Sequence, residues 1–157
     1  MEDKKAFMKK AITLAMNNVE TDKGGPFGAV IVKDGQIIGT GSNLVTQTND
    51  PTAHAEIVAI REATSKLGTF DLSGCEIYAS CEPCPMCLGA IYWAKINKLY
   101  YAATKDDAAK ANFDDSFIYK EFSLQKNERR MSSLQLMRDD AIKVFEAWNQ
   151  SDKKIPY

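Results

Sequence analysis

Apolar positions near the start of the chain recur at mixed helical spacing. Ala6, Phe7, Ile12, Leu14 and Ala15 lie among charged residues and predict a helix from Asp3 to about Asn18, which the breaker Gly24-Gly25-Pro26 closes off. The period then shortens. Phe27 to Lys33 and Gln36 to Gly41 are β-branched stretches joined by Asp34-Gly35, a pair suited to the positive backbone angles of a two-residue hairpin, so the two strands should pair antiparallel. A polar loop from Ser42 to Ala53 leads into a helix from His54 to about Lys66, with Ile57, Val58, Ile60 and Ala63 facing inward and Gly68 as its stop. Cys75 to Ser80 reads as a third strand, Cys84 to Ala94 as a helix and Leu99 to Ala103 as a fourth strand.

Strand-helix-strand runs of this length are crossover units, which set neighbouring strands parallel and lay helices over the sheet. A layered α/β fold follows. Beyond Thr104 the pattern weakens: Asp106 to Asn112 fits a short helix, Ser116 to Phe122 has no clear period, and Asp140 to Gln150 is helical through Ile142, Val144, Phe145 and Trp148. With 157 residues and 45% hydrophobic content, the expectation is one domain spanning 1–157 with material for a sizeable core. The first eighteen residues are charged and amphipathic rather than signal-like, and no apolar run approaches bilayer-spanning length, so a cytoplasmic protein without membrane contact is expected.

The chemistry concentrates at two places. The single histidine, His54, sits in Pro51-Thr52-Ala53-His54-Ala55-Glu56, and Pro83-Cys84-Pro85-Met86-Cys87 follows later. One imidazole and two thiolates make three ligands of a tetrahedral zinc and leave the fourth position open to water, which distinguishes a catalytic from a structural site. Both halves sit where helices should start, and helix N-termini favour thiolate over thiol. A bound zinc lowers the pKa of its water from about 15.7 toward roughly 7, supplying zinc-bound hydroxide near neutrality, while Glu56 offers a carboxylate to shuttle its proton. The H-x-E and P-C-x-x-C combination marks zinc-dependent nucleobase deaminases, hydrolases of a C–NH2 carbon. Simpler readings exist for each half. C-x-x-C alone can be a redox pair or half of a structural zinc site, and Cys81, Cys84 and Cys87 resemble part of an iron–sulfur ligand run that lacks a fourth cysteine. A non-catalytic zinc-containing binding protein is the alternative from another class, although it would have no need of Glu56. Cys75 reads as a small core residue at the start of a strand.

Charge narrows the substrate. Twenty basic and 21 acidic side chains give a net charge of −1, which argues against electrostatic capture of a nucleic-acid strand. Lys9-Lys10, Arg129-Arg130 and Lys153-Lys154 are scattered pairs that solvated surface explains.

A family resemblance covers most of residues 1 to 105. Gly25-Pro26-Phe27-Gly28-Ala29, Asn43, Asp50 to Glu56 and Cys81 to Ile91 together resemble the cytidine and deoxycytidylate deaminase superfamily. Within it, Tyr92-Trp93-Ala94, Phe113 to Glu121, the chain length and the terminal tyrosine are similar to bacterial guanine deaminases of the short type. The resemblance implies an α/β/α sandwich with a mixed, five-stranded sheet, one zinc per subunit on His54, Cys84 and Cys87, and conversion of guanine to xanthine and ammonia. It implies further that Glu56 shuttles protons, that Asn43 hydrogen-bonds the base and that Phe27 and Trp93 wall the pocket. An aspartate of the Phe113-Asp114-Asp115 stretch would assist, Asp115 as the second catalytic carboxylate and Asp114 as its alternative and a substrate contact. Homodimers with exchanged C-terminal segments are also implied, Tyr157 closing the neighbouring pocket. Without the resemblance, Asn43 is a turn residue, Phe27 and Trp93 are core, the two aspartates are helix caps and Tyr157 is a frayed end. Guanosine, cytosine, cytidine and transfer-RNA adenosine remain alternative substrates, the last disfavoured by charge.

Overall fold

The structure is a computed structural model describing residues 2–157. Its elements run α1 (Glu2–Glu20), β1 (Gly28–Lys33), β2 (Gln36–Ser42), α2 (Val45–Thr48), α3 (Ala55–Leu67), β3 (Glu76–Cys81), α4 (Pro85–Trp93), β4 (Lys98–Ala103), α5 (Lys105–Lys110), α6 (Ser116–Ser123) and α7 (Arg138–Gln150). Contacts group the chain into two compact units, residues 1–115 and 116–157.

The first unit holds the sheet, in the order β2-β1-β3-β4. β1 is apolar almost throughout because both its faces are covered. Val30 and Val32, with Tyr78 of β3, meet Ala11 and the half-buried Phe7, Met8 and Leu14 of α1 on one side. Ala29 and Ile31 point to the other face, into the larger cluster of Ala55, Ala59 and Ala63 from α3 and Ile91 from α4. The result is the three-layer α/β/α arrangement. The hairpin forms as the turn chemistry predicts, with Asp34 and Gly35 both at positive φ (49° and 75°).

Strand neighbours differ from expectation in one place. β3 pairs with β4 in parallel, Ile77 opposite Leu99, but it pairs antiparallel with β1, Ala29 opposite Ala79. The crossover through α3 therefore skips a position: β2 and β3 run the same way with β1 between them, because the hairpin has already placed β1 at the edge that the crossover reaches. The sheet of the described residues has four strands rather than five, since the chain beyond β4 turns helical. Thr104 starts α5 with a capping box, its hydroxyl accepting from the Asp107 N–H while Asp107 accepts from the Thr104 N–H.

Two local expectations also change. The loop from Ser42 to Ala53 contains the single turn α2, ended by Asn49 in the left-handed region. On α3 the buried face is Ala55, Glu56, Ala59 and Ala63, with Ile57 and Val58 only half-buried. Close approach to β2 is the reason: a Cβ at Gly41 would lie 2.0 Å from the Ala55 carbonyl oxygen, so only small side chains fit between this strand and α3.

The second unit contains α6 and α7, neither with a buried residue. Arg130 pairs with Glu121 at 3.7 Å and stands over the Phe117 ring. Among the described residues no helix is long and apolar enough to cross a membrane.

Candidate active site

Two helix starts build the site. His54 is the N-cap of α3, extended at φ −69° and ψ 158°, and Gly68 in the left-handed region ends that 13-residue helix. Cys84 is the N-cap of α4, also extended, and its sulfur accepts from the Cys87 N–H at 3.5 Å, with Pro85 preset for the first turn. Packing of α3 and α4 on the same sheet face brings the three side chains together. His54 Nδ1 lies 3.5 Å from Cys84 Sγ and 3.5 Å from Cys87 Sγ, and all the ligand atoms lie within 4.8 Å of one another.

These separations suit zinc. With Zn–S near 2.3 Å and Zn–N near 2.0 Å, tetrahedral angles require an S···N distance of about 3.5 Å, and a mixed imidazole and thiolate set is the borderline-soft environment zinc prefers. The electrostatics agree. The Cys84 thiol is held down to about 4 by Cys87 and then His54 hydrogen-bonding its sulfur. Cys87 goes the other way, pushed up by the Cys84 sulfur and by burial. Metal binding requires both sulfurs as thiolates, so a divalent cation displaces the protons they hold. His54 is raised chiefly by its bond to Cys84, against the opposing effect of burial.

Glu56, in the first turn of α3, is 8% exposed. Burial raises its carboxyl above the ordinary range, while the Cys87 side chain bonds its charged form and pulls the other way. A carboxyl raised in this way is a better proton acceptor than an ordinary carboxylate, as a group that takes and returns a proton requires.

The chain matches the model of the cytidine and deoxycytidylate deaminase zinc-binding region over residues 1–103. It belongs to that family. A guanine deaminase of Bacillus subtilis (strain 168) is 54% identical over 151 residues, 96% of this chain and 97% of the relative. The X-ray structure of guanine deaminase from Bacillus subtilis superposes with a TM-score of 0.95 at 53% identity, over 98% of both chains. A tRNA-specific adenosine deaminase of Aquifex aeolicus is 44% identical over 100 residues, only 64% of this chain and 66% of that one. A structure in complex with 2,6-diaminopurine is 30% identical with a TM-score of 0.68, covering 98% of this chain and 85% of that one. The deaminase therefore takes zinc as its cofactor, and His54, Cys84 and Cys87 are the group placed for it.

The other residues singled out in this deaminase lie at varying places. Asn43 directly follows β2 and is 7% exposed; its Oδ1 accepts from the Val45 N–H at 3.2 Å, so the turn-forming role is present in the structure. Phe27 is half-buried against the α3 side of the core, its ring edge-on to Phe113 at 4.9 Å and 88°. Asp115 is half-buried, and burial raises its carboxyl, with the Cys84 charge adding to the effect. Asp114 is exposed. The structure does not gather everything: Trp93 ends α4, six residues beyond Cys87 and 69% exposed, and Tyr157 lies in the second unit, 75% exposed. A cavity of about 400 Å³ opens beside α1, lined by Ile12, Met16, Phe27, Cys81, Ala103 and Phe113 among others. None of the metal-binding group lines it, so the site is defined by its donor atoms rather than by that cavity. Phe113 entered the sequence analysis only as the start of the Phe113 to Glu121 resemblance; three residues after α5, its aromatic character carried no signal that it would meet Phe27.

Proposed function

We propose that this deaminase hydrolyses guanine to xanthine and ammonia. The observation carrying the reading is the reach of the similarity. Likeness to the Bacillus guanine deaminase runs through 96% of the chain, including Phe113-Asp114-Asp115, whereas likeness to the Aquifex adenosine deaminase covers 64%. A net charge of −1 supports a small purine over a nucleic-acid strand.

When bound, zinc supplies a Lewis acid that brings the pKa of water toward about 7. His54, Cys84 and Cys87 hold it. Glu56 takes a proton from the attacking water as the new C–O bond forms, and returns it toward the departing amino group, so that the C–N bond breaks with loss of ammonia. Burial raises that carboxyl above its ordinary range, which favours the protonated form it passes through. Asn43, with Oδ1 committed to Val45, offers its Nδ2 protons to an acceptor on the base. Phe27 and Trp93 serve as walls; Asp115 moves the second proton, with Asp114 and Tyr157 as further substrate contacts. The chain acts as one cytoplasmic deaminase domain over 1–157, a setting that four free cysteines fit.

Homodimerisation with exchange of the C-terminal tail belongs to the same reading. Exposure of Val144 and Phe145 at 68% and of Leu134 at 85% supports it, because apolar surface on this scale asks for a covering partner. The test is ammonia release from guanine, guanosine, adenine, cytosine, cytidine and a transfer-RNA anticodon stem. Guanine should be turned over preferentially, and preference for any other member would replace the proposal.

A further inference from the structure

Asn18 is the one polar residue on the buried stripe of α1, aligned with Ala11 and Ala15 and only 4% exposed. A buried amide in such a stripe costs stability unless its protons are used. Both are. Asn18 Nδ2 donates to the Gly25 carbonyl at 2.9 Å and to the Asn43 carbonyl at 2.8 Å. Two carbonyl acceptors leave no ambiguity about which end of the amide faces them.

The bonds close a circuit. Phe27 N–H donates to the same Gly25 carbonyl at 2.8 Å, and Asn43 N–H donates to the Phe27 carbonyl at 3.2 Å. Starting at Asn18, the path runs through Gly25, Phe27 and Asn43 and returns to Asn18 without leaving the protein. Its members include two of the residues assigned to the purine, Phe27 and Asn43. Gly24 lets the circuit close, since a Cβ there would lie 2.5 Å from the Asn43 oxygen and 3.0 Å from Asn18 Nδ2. Seven residues, 21–27, separate α1 from β1, and the Asn18 amide ties the Gly25 and Asn43 carbonyls to the end of α1.

We infer that Asn18 is a positioning residue for base recognition, holding Phe27 and Asn43 in the register that a planar purine needs. The inference rests on the reading of Asn43 as a contact to the base. Asn18 does not touch substrate; it acts through the two backbone carbonyls. Misplacement of the order of 1 Å in such a frame weakens binding without altering the metal group or Glu56.

Asn18→Asp tests this with nearly unchanged volume, because an ionised carboxylate has no proton for either carbonyl. Steady-state kinetics with guanine on the full-length zinc-loaded protein should show KM rising about tenfold, with a smaller fall in kcat and zinc content unchanged. Gly24→Ala, which displaces the Asn43 carbonyl from the other side, should do the same and decides the matter where Asn18→Asp does not fold. The coupling distinguishes positioning from bulk stability. Asn43→Ala alone should raise KM, and adding Asn18→Asp or Gly24→Ala to it should then change KM less than about twofold. A rise in KM that simply multiplies with that of Asn43→Ala, or wild-type KM in a variant that only melts earlier, overturns the positioning role. Wild-type KM in Asn43→Ala overturns instead the reading of Asn43 on which it depends.

Discussion

Replacing Gly41 by Ala probes how the fold fixes the metal group. The new Cβ would lie 2.0 Å from Ala55 O, 3.0 Å from Ala55 C and 2.7 Å from Ala59 N, where ordinary contact begins at 3.4 Å. All three atoms are backbone, so no rotamer change relieves the clash. The start of α3 must back away from β2 by more than about 1 Å, at an overpacking cost near 3 kcal/mol. For a chain of this size that lowers Tm by roughly 6–12 °C. His54 immediately precedes Ala55 and moves with it, while Cys84 and Cys87 belong to α4 and stay. The 3.5 Å separations from Nδ1 to both sulfurs then no longer match one tetrahedral ion. Zinc affinity, read by competition with a chromophoric chelator, should fall at least about tenfold, and guanine turnover by about a hundredfold. A Gly41→Ala protein with wild-type Tm and zinc affinity would refute the claim that this close approach seats His54.

Three further outcomes are expected. Glu56→Gln should keep zinc and bind guanine yet lose on the order of 10² to 10⁴ in turnover, measured by ammonia release; near-normal turnover in zinc-loaded protein removes the proton-shuttle role. Cys87→Ala should lose zinc by elemental analysis and lower Tm, because two ligands remain and a buried packing group is deleted; full zinc occupancy would contradict the ligand set. Asp115→Asn should lower kcat more than it raises KM, and an effect confined to KM would make Asp115 a binding rather than a proton-transferring residue.

The chemistry was legible because it is local. His54 with Glu56, and Cys84 with Cys87, are pairs within one helical turn, and their meeting needed only two helix starts on one sheet face. The crossover length told that β2 and β3 run parallel but could not tell that β1 lies between them, since strand order depends on which edge is free. Helical periodicity pointed to Ile57 and Val58 as the inner face of α3, whereas Gly39 and Gly41 on β2 select Ala55, Ala59 and Ala63. That choice is made by interlayer distance, which periodicity does not encode. Asn18 was hidden for a related reason: a polar residue at the end of an amphipathic helix looks like a solvated terminus until its two acceptors, seven and 25 residues away, are seen beside it. Asn43 shows the turn-forming role, its Oδ1 accepting from the Val45 N–H, and the contact to the base is the role proposed for its amide.

The central claim is that this fold places a zinc-site hydrolysis on a free purine. Comparing kcat/KM for guanine and for a transfer-RNA anticodon stem on one zinc-loaded preparation, at two salt concentrations, tests it most directly. Guanine should release ammonia with xanthine in equal amounts and with little salt dependence, while the stem should remain unedited. Editing of the stem that falls steeply with salt, together with inert guanine, would contradict the account.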